Sequence, residues 1–431
     1  MNPGKIRNIR KADPHKLIKK GAGQDMGSKK YWIAIAAELL LIAILINGQF
    51  VDREEPAAVS GNIKIAQRNT AEGREDYIKW VDFTVPCEAL EYAYEKDVEA
   101  HEAGNELDWV SLLSCTAAKW GGDFSKKAMK EMERLAQRAM EEADGDRSGT
   151  DVIDEYGAEL KYYPYYKEAY AAVLSGMVGT YRIQTRNEAG KAVWEERYGL
   201  KAFSPIARGF EYSDYDDFGT SRSYGYQRPH LGHDMMGQVG TPVIAVESGY
   251  VEALGWNQYG GWRIGIRSFD KKRYYYYAHL RQNYPFQAEL KEGDVVTAGD
   301  VIGYLGHTGY SAKENVNNID TPHLHWGLEL IFDESQKESD NEIWIDCYQL
   351  TRFLYRNRSE TEKVQGTKEW RRVLEMEDPA AEEWKKGRQE EAGRRTEAEQ
   401  SRWLNGYKKY KKFWMYAGGN CQTAESVLEW G

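Results

Sequence analysis

The residues best suited to chemistry in this chain are His230 and Asp234, followed about ninety residues later by His323 and His325. Positions two or four residues apart point to the same face of an extended strand, so each pair can aim both side chains at one point. Two imidazoles and one carboxylate form a three-ligand zinc set whose fourth tetrahedral position is open to water, as in catalytic rather than structural zinc sites. The alternative is a set of surface histidines in loops. The spacing favours a catalytic metal centre built on strands.

A series of short motifs surrounds these residues in a fixed order. They are H-x-G-x-D, G-T-P-V with a following G-x-V, Y-x-H-L, a glycine-rich stretch ending in T-G-x-S, and H-L-H. In this chain they read His230-Leu-Gly232-His-Asp234, Gly240-Thr241-Pro242-Val243 with Gly249-Tyr-Val251, Tyr277-Ala-His279-Leu280, Gly293-Asp294 through Gly303 and Gly306 to Thr308-Gly309-Tyr-Ser311, and His323-Leu324-His325. In combination and order, over roughly residues 205–335, they closely resemble the LytM/lysostaphin family of zinc metallopeptidases. No H-E-x-x-H is present, which excludes the helical zinc-protease arrangement.

The resemblance assigns a role to each residue of the expected site. His230, Asp234 and His325 would bind one zinc ion (Zn2+), and His279 and His323 would be the catalytic histidines beside it. One of these two would activate a water molecule, and the other would stabilise the transition state. The chemistry agrees, because zinc lowers the pKa of water to about 7 and polarises the scissile carbonyl, so a histidine can take the proton near neutral pH.

Neighbouring residues receive lesser roles. A tyrosine just upstream of the first ligand assists in some relatives, and Tyr224 or Tyr226 would do so here. His233 has the opposite strand parity to the predicted ligands and should point away from the metal. His307 stands at a variable position of the glycine-rich turn and is interpreted as a supporting or groove-lining residue. Residues 312–322 form a longer polar stretch than in close relatives and would shape substrate preference at the rim of a cleft.

The composition of the same region predicts a small all-β domain. Segments 243–251, 262–269, 273–280 and 325–332 are short, rich in β-branched or aromatic residues, and bounded by Gly, Asn or Asp, which is typical of strands. The resemblance implies an open antiparallel β-sandwich of the LytM type. Four consecutive tyrosines at 274–277 would alternate faces, half packing inward and half available to line a groove, with core packing as the default.

Residues 76–185 show helical periodicity. Ser125 can cap a helix whose apolar stripe includes Met132 and Leu135 and which stops at Gly145. We expect a small helical domain of unknown role, which would offer a surface to a protein partner in cell-wall assembly.

One loop of the helical region has the spacing of a calcium site. Asp144, Asp146, Ser148 and Glu155, with Gly149 between them, fit an EF-hand loop. The usual apolar residue two positions after the glycine is an aspartate here. Two interpretations stay open, a Ca2+ site and a plain acidic loop between helices.

The first fifty residues predict a membrane anchor. Residues 1–30 carry a surplus of Lys and Arg, and residues 31–46 are nearly uninterrupted apolar sequence, which with its flanks approaches the roughly 20 residues that cross a bilayer. Positive charge before the span predicts a cytoplasmic N-terminus. The chain would then be a single-pass protein of the cytoplasmic membrane with its catalytic domain outside the cell. A cleaved signal peptide is the alternative, although no small-x-small site follows the span.

The expected fold class is multidomain α+β. Its segments are a cytoplasmic basic segment (1–30), a transmembrane anchor (31–50), a linker (51–75), a helical domain (76–185), a LytM-like zinc peptidase domain (205–335), its C-terminal extension (336–358) and a charged tail, helical or disordered (359–431). The net charge of −10 argues against nucleic-acid partners. The four cysteines show neither a disulfide framework nor zinc-site spacing.

These expectations combine into one predicted function. The chain would be a zinc-dependent endopeptidase that hydrolyses stem or cross-link peptides of peptidoglycan on the outer side of the cytoplasmic membrane. The resemblance implies both the hydrolytic zinc chemistry and the substrate class, and the residues themselves also support the chemistry. The alternative is a non-catalytic or weakly active scaffold that activates wall hydrolases in a division or sporulation assembly. The intact set of ligands and catalytic histidines favours the enzyme.

Overall fold

Helices come first along the chain and a β-rich region follows. The fold is that of a computed structural model, which describes residues 77–223, 227–337, 339 and 341–416. The first helices are α1 (Cys87–Glu102), α2 (Trp109–Trp120), α3 (Lys126–Glu142), α4 (Gly149–Ala158) and α5 (Tyr163–Leu174). The predicted N-terminal helical region is therefore confirmed.

Local sequence signals set the limits of the most buried helix, α2. Its N-cap is Asp108, whose carboxylate accepts hydrogen bonds from the backbone N–H groups of Val110 at 3.2 Å and Ser111 at 3.0 Å. It ends at Gly121, which has φ of 65° in the left-handed region that a C-cap uses. Nine residues of α2 are buried, so this helix is the centre of the helical core.

The strands that follow pair antiparallel wherever the structure describes a pairing, and several pairs join strands that are far apart along the chain. They are β1 (Val178–Arg186), β2 (Ala192–Leu200), β3 (Ser213–Asp214), β4 (Ser221–Ser223), β5 (Gln227–Pro229), β6 (His233–Met236), β7 (Pro242–Ile244), β8 (Gly249–Asn257), β9 (Gly261–Ser268), β10 (Arg273–Ala278), β11 (Val295–Val296), β12 (Val301–Tyr304), β13 (His323–Leu330) and β14 (Ile343–Ile345). The largest sheet has eight strands in the order β11-β8-β9-β10-β13-β6-β3, with β14 also paired to β13. Strands β7 and β12 pair separately. The predicted β-rich, antiparallel character of this region is confirmed.

The centre of the large sheet has one core face and one open face. Tyr275, Tyr277 and Trp326 are fully buried in the apolar core. Tyr274 and Tyr276 alternate with them on β10 and line a cleft on the other face. The run of tyrosines thus serves both the core and the groove.

A buried ion pair joins the helices to the sheet. Arg273, at the start of β10, donates to both carboxylate oxygens of Glu247, at 2.7 and 3.0 Å. Its third contact is the backbone carbonyl of Ala172 in α5, at 3.1 Å. Tyr275 donates to the same carboxylate at 2.6 Å. One cluster of buried apolar side chains runs from the helices into the sheet around this joint.

Part of the segment placed in a charged tail is built into the fold. After α6 (Tyr348–Leu354) come β15 (Thr361–Lys363), β16 (Trp370–Arg372), β17 (Met376–Glu377) and the long helix α7 (Pro379–Tyr416). Strands β15 and β16 form a hairpin, and β17 adds to β1. On α7, Trp384 stacks on Tyr250 of β8 with ring centres 5.1 Å apart.

The prediction of a single-pass membrane protein is not supported and is corrected here. Between residues 77 and 416, as far as the structure describes them, no helix is both long and apolar enough to cross a bilayer. Helix α7 has the length, with 38 residues, but charged side chains occur throughout it. The basic segment 1–30, the predicted anchor 31–50 and the linker 51–75 lie outside the described residues.

The calcium interpretation is also corrected, in favour of an acidic loop between helices. Asp144 accepts hydrogen bonds from the backbone N–H groups of Asp146 and Arg147, at 3.0 and 3.1 Å. Ser148 caps α4 in a reciprocal capping box, so the helix begins where an EF-hand loop would continue. Glu155 pairs with Arg147 instead of turning into the loop. The oxygens that would bind Ca2+ thus stabilise a turn and a helix start.

Candidate metal centre and cleft

Two neighbouring strands and the turn before them bring the predicted ligands together. His325 on β13 lies directly opposite Asp234 on β6 in the antiparallel pairing. His230 follows β5 immediately and precedes β6. The ligand atoms of the three side chains lie within 4.8 Å of one another, and no other cluster of this kind occurs among the described residues.

The spacing of the three ligand atoms is close to that required by a tetrahedral zinc ion. His230 Nε2 lies 3.0 Å from Asp234 Oδ1 and 3.1 Å from His325 Nδ1. His325 Nδ1 and Asp234 Oδ1 are 2.9 Å apart. A tetrahedral ion with bonds of about 2.0–2.1 Å holds its ligand atoms about 3.3 Å apart. Two nitrogens and one oxygen with this spacing fit zinc after a small outward relaxation, with one position left for a water or substrate oxygen.

A glycine makes room for the metal centre. A Cβ atom on Gly232 would lie 2.5 Å from Cε1 of His325 and 3.0 Å from the backbone oxygen of Trp326. Such contacts are closer than real Cβ atoms adopt, so any side chain here would displace the His325 ring. The glycine of the H-x-G-x-D motif is therefore required for close approach.

The centre carries a negative charge that its neighbours stabilise. Burial alone would raise the pKa of Asp234, but hydrogen bonds with His230 and His325 outweigh burial and hold that pKa well below its ordinary value. Arg222 donates to the second carboxylate oxygen at 3.2 Å and also pairs with Asp217. Asp217 in turn lies 3.1 Å from His230 Nδ1. These contacts orient the His230 ring and keep the Asp234 carboxylate ionised.

His323 and His279 line the same cleft beside the three predicted ligands, and each ring is held through Nδ1. Nδ1 of His323 donates to the carbonyl of Thr321 at 2.8 Å, and Nδ1 of His279 donates to the carbonyl of Thr308 at 2.9 Å. Each Nε2 is left as the acceptor of a neutral ring. His323 Nε2 lies 3.7 Å from Asp234 Oδ1. The ring centres of His323 and His279 are 4.7 Å apart.

His279 occupies a strained backbone position at the end of β10. Its φ is 61°, in the left-handed region that few residues other than glycine adopt. Its N–H donates to the carbonyl of Gly260 at 2.7 Å, which holds the backbone there. Burial, and then the charges of His323 and His325, lower the pKa of His279 well below its ordinary value. The ring is therefore neutral near pH 7.

The metal centre lies at one end of a cleft of about 640 Å³. Arg228 and Tyr310 line it close to His279, with Arg228 donating to the Tyr310 hydroxyl at 2.8 Å. The rings of Tyr310 and His279 are 5.8 Å apart. Sequence reasoning missed both residues and Arg222. The signals were weak, because Tyr310 occupies the variable position of T-G-x-S and Arg228 stands two residues before the first ligand.

The remaining histidines lie away from the ligand cluster. His233 turns to the other face of β6, where its Nε2 lies 3.0 Å from Asp214 Oδ2. His307 lies 2.7 Å from the carbonyl of Ile319 through its Nδ1. Tyr224 and Tyr226 lie outside the described residues.

The long polar stretch at 312–322 forms a structured loop, and none of its residues lines the cleft. Asn315 accepts hydrogen bonds from the indole N–H of Trp262 at 2.9 Å and from the backbone N–H of Asn283 at 2.8 Å. Gln282 donates to the backbone carbonyl of Asn315 at 2.6 Å. The loop is thus fixed to the strand β9 and to the turn after β10.

A β-rich domain with a histidine–aspartate–histidine cluster in a cleft defines a class, the metal-dependent hydrolases. Residues 228–341 match the family model described as Peptidase family M23. The chain therefore carries an M23 peptidase domain, and the resemblance to LytM and lysostaphin is confirmed.

Two named relatives agree with this assignment. The chain is 39% identical over 130 residues to the L-Ala--D-Glu endopeptidase of Bacillus subtilis, covering 30% of this chain and 38% of that protein. It is 39% identical over 98 residues to lysostaphin of Staphylococcus simulans, covering 22% of this chain and 17% of that protein. The solved catalytic domain of that lysostaphin superimposes with a TM-score of 0.26 and 29% identity, over 33% of this chain and 92% of that one. The matches thus span well under half the length of these curated relatives.

Proposed function

We propose that this chain is a zinc-dependent endopeptidase that hydrolyses peptide bonds in the stem or cross-link peptides of peptidoglycan. One observation carries the proposal. Three ligand atoms lie 2.9–3.1 Å apart in a cleft. Beside them, His323 Nε2 is 3.7 Å from Asp234 Oδ1, and the His279 ring centre is 5.8 Å from that of His325. A structural zinc site would not need those two histidines or an open side.

The ligands proposed for the metal are His230, Asp234 and His325. Zinc bound there supplies a Lewis acid that polarises the scissile carbonyl and lowers the pKa of water to about 7. Nε2 of His323 or His279 takes the proton from the attacking water and later returns it to the leaving amine. The backbone carbonyls behind the two Nδ1 atoms keep both rings in the orientation for this transfer.

The substrate class is proposed from the relatives and from the cleft. One relative is named L-Ala--D-Glu endopeptidase, and the other is named lysostaphin. The cleft is open at the surface and walled by aromatic and charged side chains, which suits an extended, polar peptide.

The test is mass spectrometry of purified peptidoglycan fragments after incubation with the zinc-loaded full-length chain. We expect new peptide termini, abolished by a chelator and by His323→Ala. A chain that binds wall fragments and zinc but releases no new termini would support the scaffold alternative and overturn the proposal.

A further inference from the structure

The cleft continues from the metal centre along β13. His325 and Glu329 lie on the same face of that strand, four residues apart, because side chains alternate along a strand. At 3.3 Å per residue their Cα atoms are roughly 13 Å apart, about the length of four residues of an extended peptide. Gly327 lies between them, and the ring of Trp344 covers it, since a Cβ there would come within 2.7 Å of that ring.

The far end of the cleft holds a buried carboxyl group without a partner. Glu329 is only 3% exposed and lines the cleft. Its Oε1 is fully buried and has no hydrogen-bond partner among the described residues. A buried acid in this state is costly, and native proteins rarely keep one without a function.

The surroundings favour a positively charged occupant. Glu342 lines the same end of the cleft and accepts from the indole N–H of Trp344 at 2.7 Å. Lys337 also lines this end, with its Nζ 2.9 Å from Glu252 and 5.2 Å from the centre of the Tyr274 ring, so its ammonium pairs with a different acid. Glu329 and Glu342 do not belong to a three-ligand metal cluster in the part of the chain that the structure describes.

Aromatic rings complete this end. Tyr274 faces Glu329 across β10 and β13, and Trp344 faces it across β13 and β14. Aromatic faces beside carboxylates are the usual surroundings of an ammonium group.

We propose that Glu329, with Glu342, forms a subsite for a primary ammonium group of the substrate peptide. The proposal rests on the endopeptidase function proposed above and deepens it, because it adds a required group to the substrate. The ammonium nitrogen donates to the unpartnered Oε1 of Glu329 and lies against Trp344, since Lys337 already lies over the Tyr274 ring. The preferred peptide therefore carries a free amine, on a side chain or an end, within about four residues of the bond that is cut.

The test uses one synthetic stem peptide in two forms, with its lysine side-chain amine free or acetylated. We expect the zinc-loaded full-length chain to cleave the free-amine form with a kcat/KM about tenfold higher, as for one charged hydrogen bond. Glu329→Gln should bring the ratio of the two kcat/KM values close to one, and Glu342→Gln should reduce it. Glu289→Gln, an exposed acid outside the cleft, is the matched control and should keep the wild-type ratio.

Failure of the subsite and failure of the proposed function give different results. Equal cleavage of both peptides by the wild-type chain, or an unchanged ratio in Glu329→Gln, overturns the subsite and leaves the endopeptidase standing. If neither peptide is cleaved, calorimetric titration of both peptides into the same zinc-loaded protein decides. Tighter binding of the free-amine form then supports the subsite, and equal binding overturns it.

Discussion

At the scale of single residues, five side chains divide the work of the proposed metal centre between binding and proton transfer. Sequence spacing and the family motifs predicted these five side chains, and in the structure all five line one cleft. Spacing could not reveal Arg222, which reaches Asp234 from a different strand, or the unpartnered oxygen of Glu329. Both depend on tertiary contacts that no local pattern encodes.

Substitutions can distinguish the proposed zinc ligands from the proposed catalytic histidines. His325→Ala removes one of three proposed ligands and should strip zinc from the purified protein. His323→Ala should retain most of the zinc and lose activity by a factor on the order of 10² or more. Elemental analysis and a cleavage assay measure both effects, with the exposed His101→Ala as control. Full zinc retention in His325→Ala would contradict the ligand assignment.

Glu329 should make the stability of the protein depend on pH. Burial, and then the charge of Glu342, raise the pKa of this carboxyl to about 8, while Lys337 and Arg267 partly offset them and Glu252 adds to the rise. A carboxyl whose pKa is higher in the folded state stabilises the fold fully below its unfolded pKa, and that stability is lost as pH rises toward about 8.

Glu329→Gln cannot ionise, so it should be more stable than the wild type above the unfolded pKa. The gain should grow until about pH 8 and reach a few kcal/mol at most, because one pKa unit corresponds to about 1.4 kcal/mol. Thermal unfolding at pH 5, 7 and 9 measures it, with Glu289→Gln as the control. A variant less stable than the wild type at pH 9 would show that the carboxyl has a stabilising partner.

At the scale of elements, the site depends on the turn between β5 and β6 as much as on the strands. The sequence predicted one strand over 243–251, whereas β7 ends at Ile244 and β8 begins at Gly249. The break falls at Glu247 and Ser248, polar residues that tertiary contacts bury, so the segment reads as one strand unless those two residues are taken as a turn signal. Strands β9, β10 and β13, with clear flanking turns, were predicted to within a few residues.

The turn can be tested at Gly232. Gly232→Ala places a Cβ 2.5 Å from Cε1 of His325 and should displace that ring. We expect zinc affinity to fall roughly 10- to 100-fold, as when supporting residues of metal sites are changed. Competition with a chromophoric chelator measures it. Gly145→Ala, where nothing lies within 4 Å, is the control; equal affinity in both variants would mean that the turn relaxes freely.

At the scale of the whole molecule, the helices are fixed to the catalytic sheet by a polar joint that sequence patterns did not predict. Arg273, Glu247 and Ala172 come from separate segments, and their meeting is decided by packing. The described part of the chain after residue 359 likewise adds β17 to the strand that follows the helices.

Arg273→Ala should lower the free energy of unfolding by about 3–5 kcal/mol, because it leaves the Glu247 carboxylate buried without an opposite charge, with only the Tyr275 hydroxyl as a donor. Denaturant titration measures the loss. The control is Arg197→Ala, which breaks an exposed pair with Glu195 and should cost less than about 1 kcal/mol. Similar losses in the two variants would show that the joint is not a stabilising contact.

The pleat of β13 fixes the distance between the proposed metal centre and the proposed ammonium subsite. Side chains on one face repeat every two residues, so the carboxyl can be moved along the strand only in steps of roughly 6.6 Å. One step closer to the metal is Gly327, where Trp344 leaves no room. The distance between the proposed ligand His325 and the carboxyl of Glu329 therefore cannot be shortened by one step, because the Trp344 ring occupies the space beside Gly327. A preference for a shorter peptide would therefore have to begin with a change at Trp344, away from the residues proposed to take part in hydrolysis.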